Sequence, residues 1–193
     1  MLYAYRYAGG SETVSLDLGH GVDRIEALGR DALVVGTDGR DLHFSPIALS
    51  DRPSVVPRYT RQGASQGELR SHGFFYKPDS PNGGLVGLPV RSAGRPGSAH
   101  LREGSASILF LRNDALRLTE LGDLASRSEG VIADNCRASC VDWYGNARPL
   151  FFQGRVLALL GYEIVEGELA GGRIREKRRV SFAPRGSALT IAK

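Results

Sequence analysis

The chain has 193 residues, 41% apolar and 24% charged, a balance typical of a globular protein with one large domain or two small ones. The net charge of +4 is too low to indicate nucleic acid as a partner, and no apolar run approaches the roughly 18 residues of a membrane helix. The 25 glycines favour short strands joined by tight turns, so composition predicts an all-β protein without a transmembrane segment.

Short alternating segments predict strands along the whole chain. Residues 2–8 and 13–18 flank Gly9-Gly10 and predict a β-hairpin. Residues 50–68, rich in Pro, Ser and Gly, are predicted to be an irregular connector. The other predicted strands are 24–28, 32–36, 42–49, 71–76, 85–90, 107–111, 115–121, 149–152, 156–161, 163–169 and 173–182.

A weak internal repeat relates these segments. Gly29, Arg30 and Gly36 recur 125 positions later as Gly154, Arg155 and Gly161. A second set recurs 83 positions later, with Ile25, Leu28, Asp31, Ala32 and Leu33 matching Ile108, Leu111, Asp114, Ala115 and Leu116. Both offsets are close to multiples of about 42 residues, which is the size of a β-propeller blade.

The repeat predicts a single β-propeller-like domain over residues 1–193, an array of about four antiparallel blades near 22–60, 70–100, 106–128 and 147–183. Residues 1–18 are interpreted as the outer strands of an incomplete blade. Because four blades are the lower limit of closed propellers, a partial propeller is the alternative. Its open blade edge would allow self-association.

The two cysteines, Cys136 and Cys140, are separated by three residues. A zinc site would need two further ligands, and the four histidines are scattered singly, so no metal or cofactor is predicted. A structural disulfide is the favoured interpretation, and it would imply an oxidising compartment. Two free thiols are the alternative.

Aromatic and polar residues follow the cysteines directly. Trp143 and Tyr144 are interpreted first as packing residues, because aromatic rings supply large buried area. The alternative is a binding surface for a sugar or peptide, formed by Trp143, Tyr144, Asn146 and Arg148. His72, which precedes three aromatic residues, is a further binding candidate.

Catalytic residues have no clear signal. His72 and His43 lie beside apolar residues, where a histidine is more often a hydrogen-bonded structural residue than a general base. The sequence contains no GxSxG, Walker A, GxGxxG or HExxH pattern. No catalytic residue is therefore predicted. The basic segment 173–180 is interpreted as an outer strand whose charges block edge pairing, with an anionic ligand as the alternative.

Residues 139–149, 71–76, 108–114, 155–163 and 179–184 resemble the C-terminal region of a family of bacterial secreted proteins that contain a β-propeller domain and have no characterised activity. The resemblance implies an exported protein, periplasmic, secreted or on the cell surface, although residues 1–7 do not have the pattern of a signal peptide.

These observations favour a non-enzymatic binding or scaffolding module whose partner is a protein, peptide or glycan. The alternative is a hydrolase or metal-dependent enzyme with a site at the propeller mouth, using His72 or His43 and nearby Asp residues.

Overall fold

A computed structural model describes residues 1–8, 12–92, 105–126, 147–161 and 163–182. The described residues form four antiparallel sheets, joined by turns and one 3-10 turn at Ser71–Gly73. The all-β prediction is confirmed. None of the described segments is a helix long and apolar enough to cross a membrane.

The N-terminal hairpin consists of β1 (Leu2–Tyr5) and β2 (Thr13–Leu16), and the hairpin prediction is confirmed. Its pairing runs from Leu2 opposite Leu16 to Tyr5 opposite Thr13. Because neighbouring residues of a strand point to opposite faces, the apolar residues Leu2 and Ala4 share one face and Tyr3 and Tyr5 share the other.

Sheet I follows the hairpin. Its strands are β3 (Arg24–Leu28), β4 (Asp31–Thr37), β5 (Leu42–Ala48), β6 (Ser54–Val55) and β7 (Tyr59–Arg61). The first three form a meander, and β6 and β7 pair with opposite ends of β5. The run Leu33-Val34-Val35 is fully buried because both faces of the sheet are covered.

Sheet II contains β8 (Ala64–Gln66), β9 (Phe75–Ser80), β10 (Gly83–Ser92), β11 (Ser105–Asp114) and β12 (Arg117–Ala125). Strands β10 and β11 pair along their full length, from Gly83 opposite Asp114 to Ser92 opposite Ser105. Strands β8 and β9 share the other edge of β10.

Sheet III is a four-stranded meander of β13 (Ala147–Phe152), β14 (Arg155–Leu160), β15 (Glu163–Ala170) and β16 (Arg173–Ser181). Strand β16 lies at one edge of this sheet, which agrees with the outer-strand interpretation of the basic segment.

The hairpin and the three sheets stack face to face in chain order, with an apolar core at each interface. Leu16, Leu18, Val34 and Ile47 fill the interface between the hairpin and sheet I. The interface between sheets I and II contains Leu28, Leu33, Val35, Leu42, Phe44, Ala64, Phe74, Val86, Leu88, Val90, Leu109 and Leu111. The interface between sheets II and III contains Leu85, Ile108, Phe110, Leu121, Leu124, Ala147, Val156, Ala158, Leu160, Val165 and Ile174.

The division into units differs from the prediction. Residues 70–100 and 106–128 were expected as separate blades, and this is wrong because β10 and β11 pair within one sheet. The predicted connector 50–68 contains β6, β7 and β8, which are too short to show an alternating pattern. The predicted strand 71–76 begins as a 3-10 turn, and its strand starts only at Phe75.

Candidate functional site

A group of exposed aromatic side chains lies at the hairpin end of the stack. Tyr3, Tyr5 and Tyr7 are 68%, 60% and 89% exposed. Tyr3 and Tyr5 point outward from β1, and their cross-strand neighbours on the same face are Ser15 and Thr13. We call Tyr3, Tyr5, Thr13 and Ser15 the tyrosine face.

The opposite side of the hairpin holds the tyrosine face in place. Leu2, Ala4 and Val14 pack against the core that joins the hairpin to sheet I. The Arg6 guanidinium donates to the Ser50 carbonyl oxygen and to Asp51 Oδ1, both at 3.3 Å. These contacts give the tyrosines a backbone that is fixed on sheet I.

Tyrosines on a fixed strand suit recognition. The ring supplies a rigid apolar surface and the hydroxyl a hydrogen-bonding group, while only two side-chain torsions lose freedom on binding. The hydroxyls of Thr13 and Ser15 add polar groups beside the rings. The tyrosine face can therefore stack on an apolar group and hydrogen-bond to a backbone amide or hydroxyl next to it.

A second group of polar residues, the histidine cluster, lies between sheet I and the segment that follows β2. It consists of His20, Asp38, His43, Ser45 and Thr60. The rings of His20 and His43 lie 5.0 Å apart between centroids. His20 Nδ1 lies 2.6 Å from the Gly21 carbonyl oxygen, and His20 Nε2 lies 2.8 Å from Ser45 Oγ.

The remaining contacts of the cluster involve His43. His43 Nδ1 lies 2.9 Å from Thr60 Oγ1. His43 Nε2 lies 3.0 Å from Asp38 Oδ2 but is not aligned for a linear hydrogen bond. The backbone amides of Arg40 and Asp41 donate to Asp38 Oδ1, both at 2.9 Å.

Local contacts determine the protonation of the cluster. Since the Gly21 carbonyl can only accept a hydrogen bond, His20 carries its proton on Nδ1, and the neutral Nε2 accepts from the Ser45 hydroxyl. Burial lowers the pKa of His20, the hydrogen bond to Gly21 opposes this, and the charges of His43 and Arg58 add to the lowering. Hydrogen bonds from the Asp41 and Arg40 amides, with a smaller contribution from His43, lower the pKa of Asp38.

A close backbone crossing covers this cluster. The Gly21 amide donates to the Thr37 carbonyl oxygen at 3.0 Å. A Cβ atom on Gly36 would lie 1.9 Å from the Gly21 carbonyl oxygen, so only glycine at position 36 permits the crossing.

The distance between Ser45 and His20 is that of a nucleophile and its base. However, Ser45, which would be the nucleophile of that pair, is 0% exposed. The other histidine of the cluster, His43, is only 4% exposed, so neither Ser45 nor His43 offers an open approach to a substrate. The ring nitrogens of both histidines already contact protein atoms. These contacts hold the segment that follows β2 on sheet I.

Among the described residues, no three His, Cys, Asp or Glu side chains are arranged to hold a metal ion.

The structure places two of the predicted binding residues. His72 lies in the 3-10 turn, with Nε2 3.6 Å from Glu68 Oε2, and this turn packs against β13. Arg148 lies on β13 opposite Leu159, and its Nε atom is buried without a hydrogen-bond partner among the described residues. The others, Cys136, Cys140, Trp143, Tyr144 and Asn146, lie outside the described residues. The binding roles of all these residues, and the disulfide, therefore stay predictions.

Sequence reasoning missed the tyrosine face and His20. The alternation of Tyr3, Tyr5 and Tyr7 was a usable signal, because a period of two places strand residues on one face. His20 had no such signal, since its partners lie on β5, 23 and 25 positions later at His43 and Ser45.

Comparison with known proteins gives no further identification: no family model, curated protein or solved structure matches the chain.

Proposed function

We propose that this protein is a non-enzymatic binding module, a partial β-propeller that recognises a protein or peptide partner through the tyrosine face. The observation that carries the proposal is the exposure of Tyr3 and Tyr5 on a hairpin whose other side is anchored in an apolar core. Exposed tyrosines are enriched at protein interfaces because they bury a large amphipathic surface at a low entropic cost.

The face-to-face order of the sheets supports the propeller part of this proposal. Each sheet is built mainly from sequential hairpins, and each packs on the next one along the chain. Blades of a propeller are arranged in the same serial way. The two-stranded hairpin then corresponds to two strands of a blade.

The enzymatic alternative rests on the contact between His43 and Asp38, which brings a histidine and a carboxylate together. A general base must reach a substrate proton within hydrogen-bond distance. His43 is buried, and the half-buried His72 lies in a different part of the stack, so the two histidines do not form one open site; this favours the binding module over the enzymatic alternative.

An exported location accompanies the proposal and rests on the family resemblance. It predicts that Cys136 and Cys140 are bridged in protein taken from its native compartment. Mass spectrometry after alkylation without reduction measures this directly. Two alkylated thiols in that material would contradict export.

A peptide-display selection tests the binding proposal. The immobilised protein is screened with a library of random twelve-residue peptides, and the enriched peptides are measured by fluorescence anisotropy. We expect the double variant Tyr3→Ser, Tyr5→Ser to bind these peptides more weakly, by about tenfold or more. The reason is that loss of each tyrosine ring should reduce the binding free energy by about 1 kcal/mol or more. The variant Tyr3→Phe, Tyr5→Phe should keep most of the affinity.

Phe152→Ser is the matched control, because Phe152 is 60% exposed, like Tyr5, but lies on sheet III. It should bind the selected peptides as the unchanged protein does. A selection that yields no binder, or binders that are indifferent to the double tyrosine variant, would contradict the proposal.

A further inference from the structure

We propose that the partner is an extended segment of another protein, which adds to the hairpin as a third strand beside β1 and covers the exposed face of β3. This partner assignment rests on the proposed function, because the added strand would lie next to Tyr3 and Tyr5 of the tyrosine face. It follows from the apolar surface of sheet I that the two-stranded hairpin leaves uncovered.

The face of sheet I that points toward the hairpin is covered unevenly. Ile25 lies opposite Val34, and Ala27 lies opposite Ala32, so these four side chains share that face. Val34 is fully buried under the hairpin, whereas Ile25 is 55% exposed and Ala27 is also exposed. The opposite face of β3 is buried against sheet II. Strand β3 is therefore covered on one face only.

Contacts at both ends of the hairpin place β1 nearer to β3 than β2 is. Arg6, in the turn after β1, reaches Ser50 and Asp51 in the connection between β5 and β6. The Leu18 carbonyl oxygen, which follows β2, accepts a hydrogen bond from Arg58, which precedes β7. Because β6 and β7 pair with β5 at the edge of sheet I away from β3, β2 lies toward that edge. The outer side of β1 points toward β3, and among the described residues β1 pairs only with β2.

Sheets II and III show how the corresponding surface is covered elsewhere in this protein. Strands β11 and β12 form the hairpin that precedes sheet III, as β1 and β2 precede sheet I. A further strand, β10, pairs with β11 and lies on β13, the first strand of sheet III, so that a Cβ on Gly87 would lie 2.5 Å from Pro149 Cβ. Ala147 and Pro149 of β13 are buried there. The added segment would hold beside β1 the place that β10 holds beside β11.

The occupant that fits is a strand with apolar side chains at alternate positions. These side chains would meet Ile25 and Ala27, and the side chains between them would lie beside Tyr3 and Tyr5, about 4.5–5.5 Å away at Cβ. A second copy of the hairpin is disfavoured, because Leu2 of its β1 already packs on its own sheet I. A glycan could stack on the tyrosine rings, but it has no alternating backbone amides to pair with β1.

Binding of a labelled nine-residue peptide that alternates valine with threonine tests the proposal by fluorescence anisotropy. Two further versions of the peptide carry N-methyl groups on either the valines or the threonines. Because only every second amide of a strand faces its neighbour, we expect one version to lose binding by about tenfold or more and the other to bind like the parent.

Substitutions in the protein provide the second arm. Ile25→Gln should weaken binding of the parent peptide by about tenfold, because the apolar side chains of the peptide lose their contact on β3. Leu169→Gln is the matched control, since Leu169 is 48% exposed on β15 of sheet III and should bind the peptide as the unchanged protein does. The double variant Tyr3→Ser, Tyr5→Ser should also weaken binding. Circular dichroism confirms that all three variants keep their strands.

The outcomes separate strand addition from other kinds of binding. Selective loss with one N-methylated peptide, together with loss in Ile25→Gln but not in Leu169→Gln, supports the proposal. Absence of binding, equal binding of the two N-methylated peptides, or unchanged affinity in Ile25→Gln would overturn it.

The tyrosine variant distinguishes this failure from failure of the proposed function. If it alone weakened binding, the tyrosine face would still be the partner site, but the partner would not add as a strand. Sedimentation velocity tests the remaining occupant: a dimer of the unchanged protein that Ile25→Gln dissociates would assign the surface to a second copy and overturn the proposal.

Discussion

The two faces of sheet I are held to their neighbours in different ways. The face toward sheet II contributes Leu33, Val35, Leu42 and Phe44 to a core of twelve buried residues. The face toward the hairpin contributes Val34 and Ile47 to a core of four, with the histidine cluster beside it. Since each fully buried aliphatic or aromatic side chain stabilises a fold by about 1.5–3 kcal/mol, the first of these two interfaces contributes more to the stability than the second. The second depends more on polar contacts, so the hairpin is the part expected to detach first.

The polar contacts at the two interfaces also differ. Between sheets I and II, the buried Arg24 donates to the Glu68 and Arg70 carbonyl oxygens at 2.9 and 3.1 Å. On the same interface, Tyr59 and Arg61 both donate to the Glu120 carboxylate. Burial and hydrogen bonding to Glu120 raise the pKa of Tyr59, so this hydroxyl stays protonated in the physiological range. Arginine side chains keep their charge throughout the physiological pH range, whereas histidine side chains change their charge near it. The polar contacts on the hairpin side of sheet I are therefore the ones that respond to pH.

Phe44→Ala should give the largest effect, because it removes a fully buried ring from the interface between sheets I and II. We expect the free energy of unfolding to fall by about 3–5 kcal/mol. Urea unfolding followed by circular dichroism measures the change. Phe152→Ala, at an exposed site, is the control, and a loss below about 1 kcal/mol for Phe44→Ala would contradict the assignment of this core.

Gly36→Ala should act mainly on the hairpin side. Its Cβ would overlap the Gly21 carbonyl oxygen, so the crossing segment must move away at a cost of up to about 3 kcal/mol. Hydrogen exchange should show faster exchange of the Gly21 and Asp23 amides, which bond to the Thr37 and Val35 carbonyls.

The core strand β10 should keep its protection in the Gly36→Ala variant. Gly171→Ala is the control, since its turn has a φ of +58° but no neighbour near the added Cβ. Loss of protection throughout sheets I and II would show that the hairpin is not a separate unit of stability.

Arg24→Met should weaken the interface between sheets I and II without emptying it. The methionine fills much of the volume, but the Glu68 and Arg70 carbonyls lose their donor, at a cost of about 2 kcal/mol. Urea unfolding measures the loss, with the exposed Arg117→Met as control. Equal stability of the two variants would show that Arg24 is replaceable by apolar packing.

The smallest effect should come from pH. Burial lowers the pKa of His20 in the folded protein, while an unfolded histidine keeps a pKa of about 6.5. Below that value the unfolded chain binds more protons, so the stabilisation from His20 is present above about pH 6.5 and decreases as the pH falls. His43, Arg58 and Asp23 are the charged neighbours, and the first two act in the same direction.

Hydrogen exchange at Gly21 and Asp23, corrected for the intrinsic rate, should therefore show less protection at pH 5 than at pH 8. The lowered pKa of Asp38 keeps its carboxylate ionised throughout this range. His20→Gln should remove most of the difference. The same pH dependence in that variant would assign the titration to another group.

The sequence predicted strands well where turn residues bound an alternating segment, as in β3, β5 and β16, or a continuous apolar run, as in β14. It failed where contacts from other strands decide the geometry. The strands predicted at 107–111 and 115–121 leave a gap at 112–114, yet β11 continues to Asp114, and the turn falls at Ala115 and Leu116 with φ of 48° and 69°. The Leu116 amide donates to Asn113 Oδ1 at 3.0 Å, and the Ala115 amide to the Asn82 carbonyl oxygen at 2.8 Å, which holds these two residues in the left-handed region.

The repeat shows the same limit. Gly29 and Gly154 both lie in the first hairpin turn of a sheet, so the 125-residue offset joins similar elements. The 83-residue offset does not, because Asp31 and Leu33 lie in β4, whereas Leu116 lies in a turn. A few identical residues at a fixed offset therefore do not show whether two segments form the same strand or turn or merely have a similar amino-acid composition.

Side-chain alternation and turn residues act locally, so they were enough to predict that this chain is all-β, that it opens with a hairpin and that the basic segment after Ala170 forms a strand. Which strands share a sheet, and which faces are covered, depends on contacts between distant segments and is seen only in the folded protein. Alternation distinguishes two faces but does not say what packs on each, so it could not tell that Leu2 is anchored and Tyr3 exposed. The histidine cluster likewise exists only because the backbone crosses at Gly36, which brings His20 to Ser45 across sheet I.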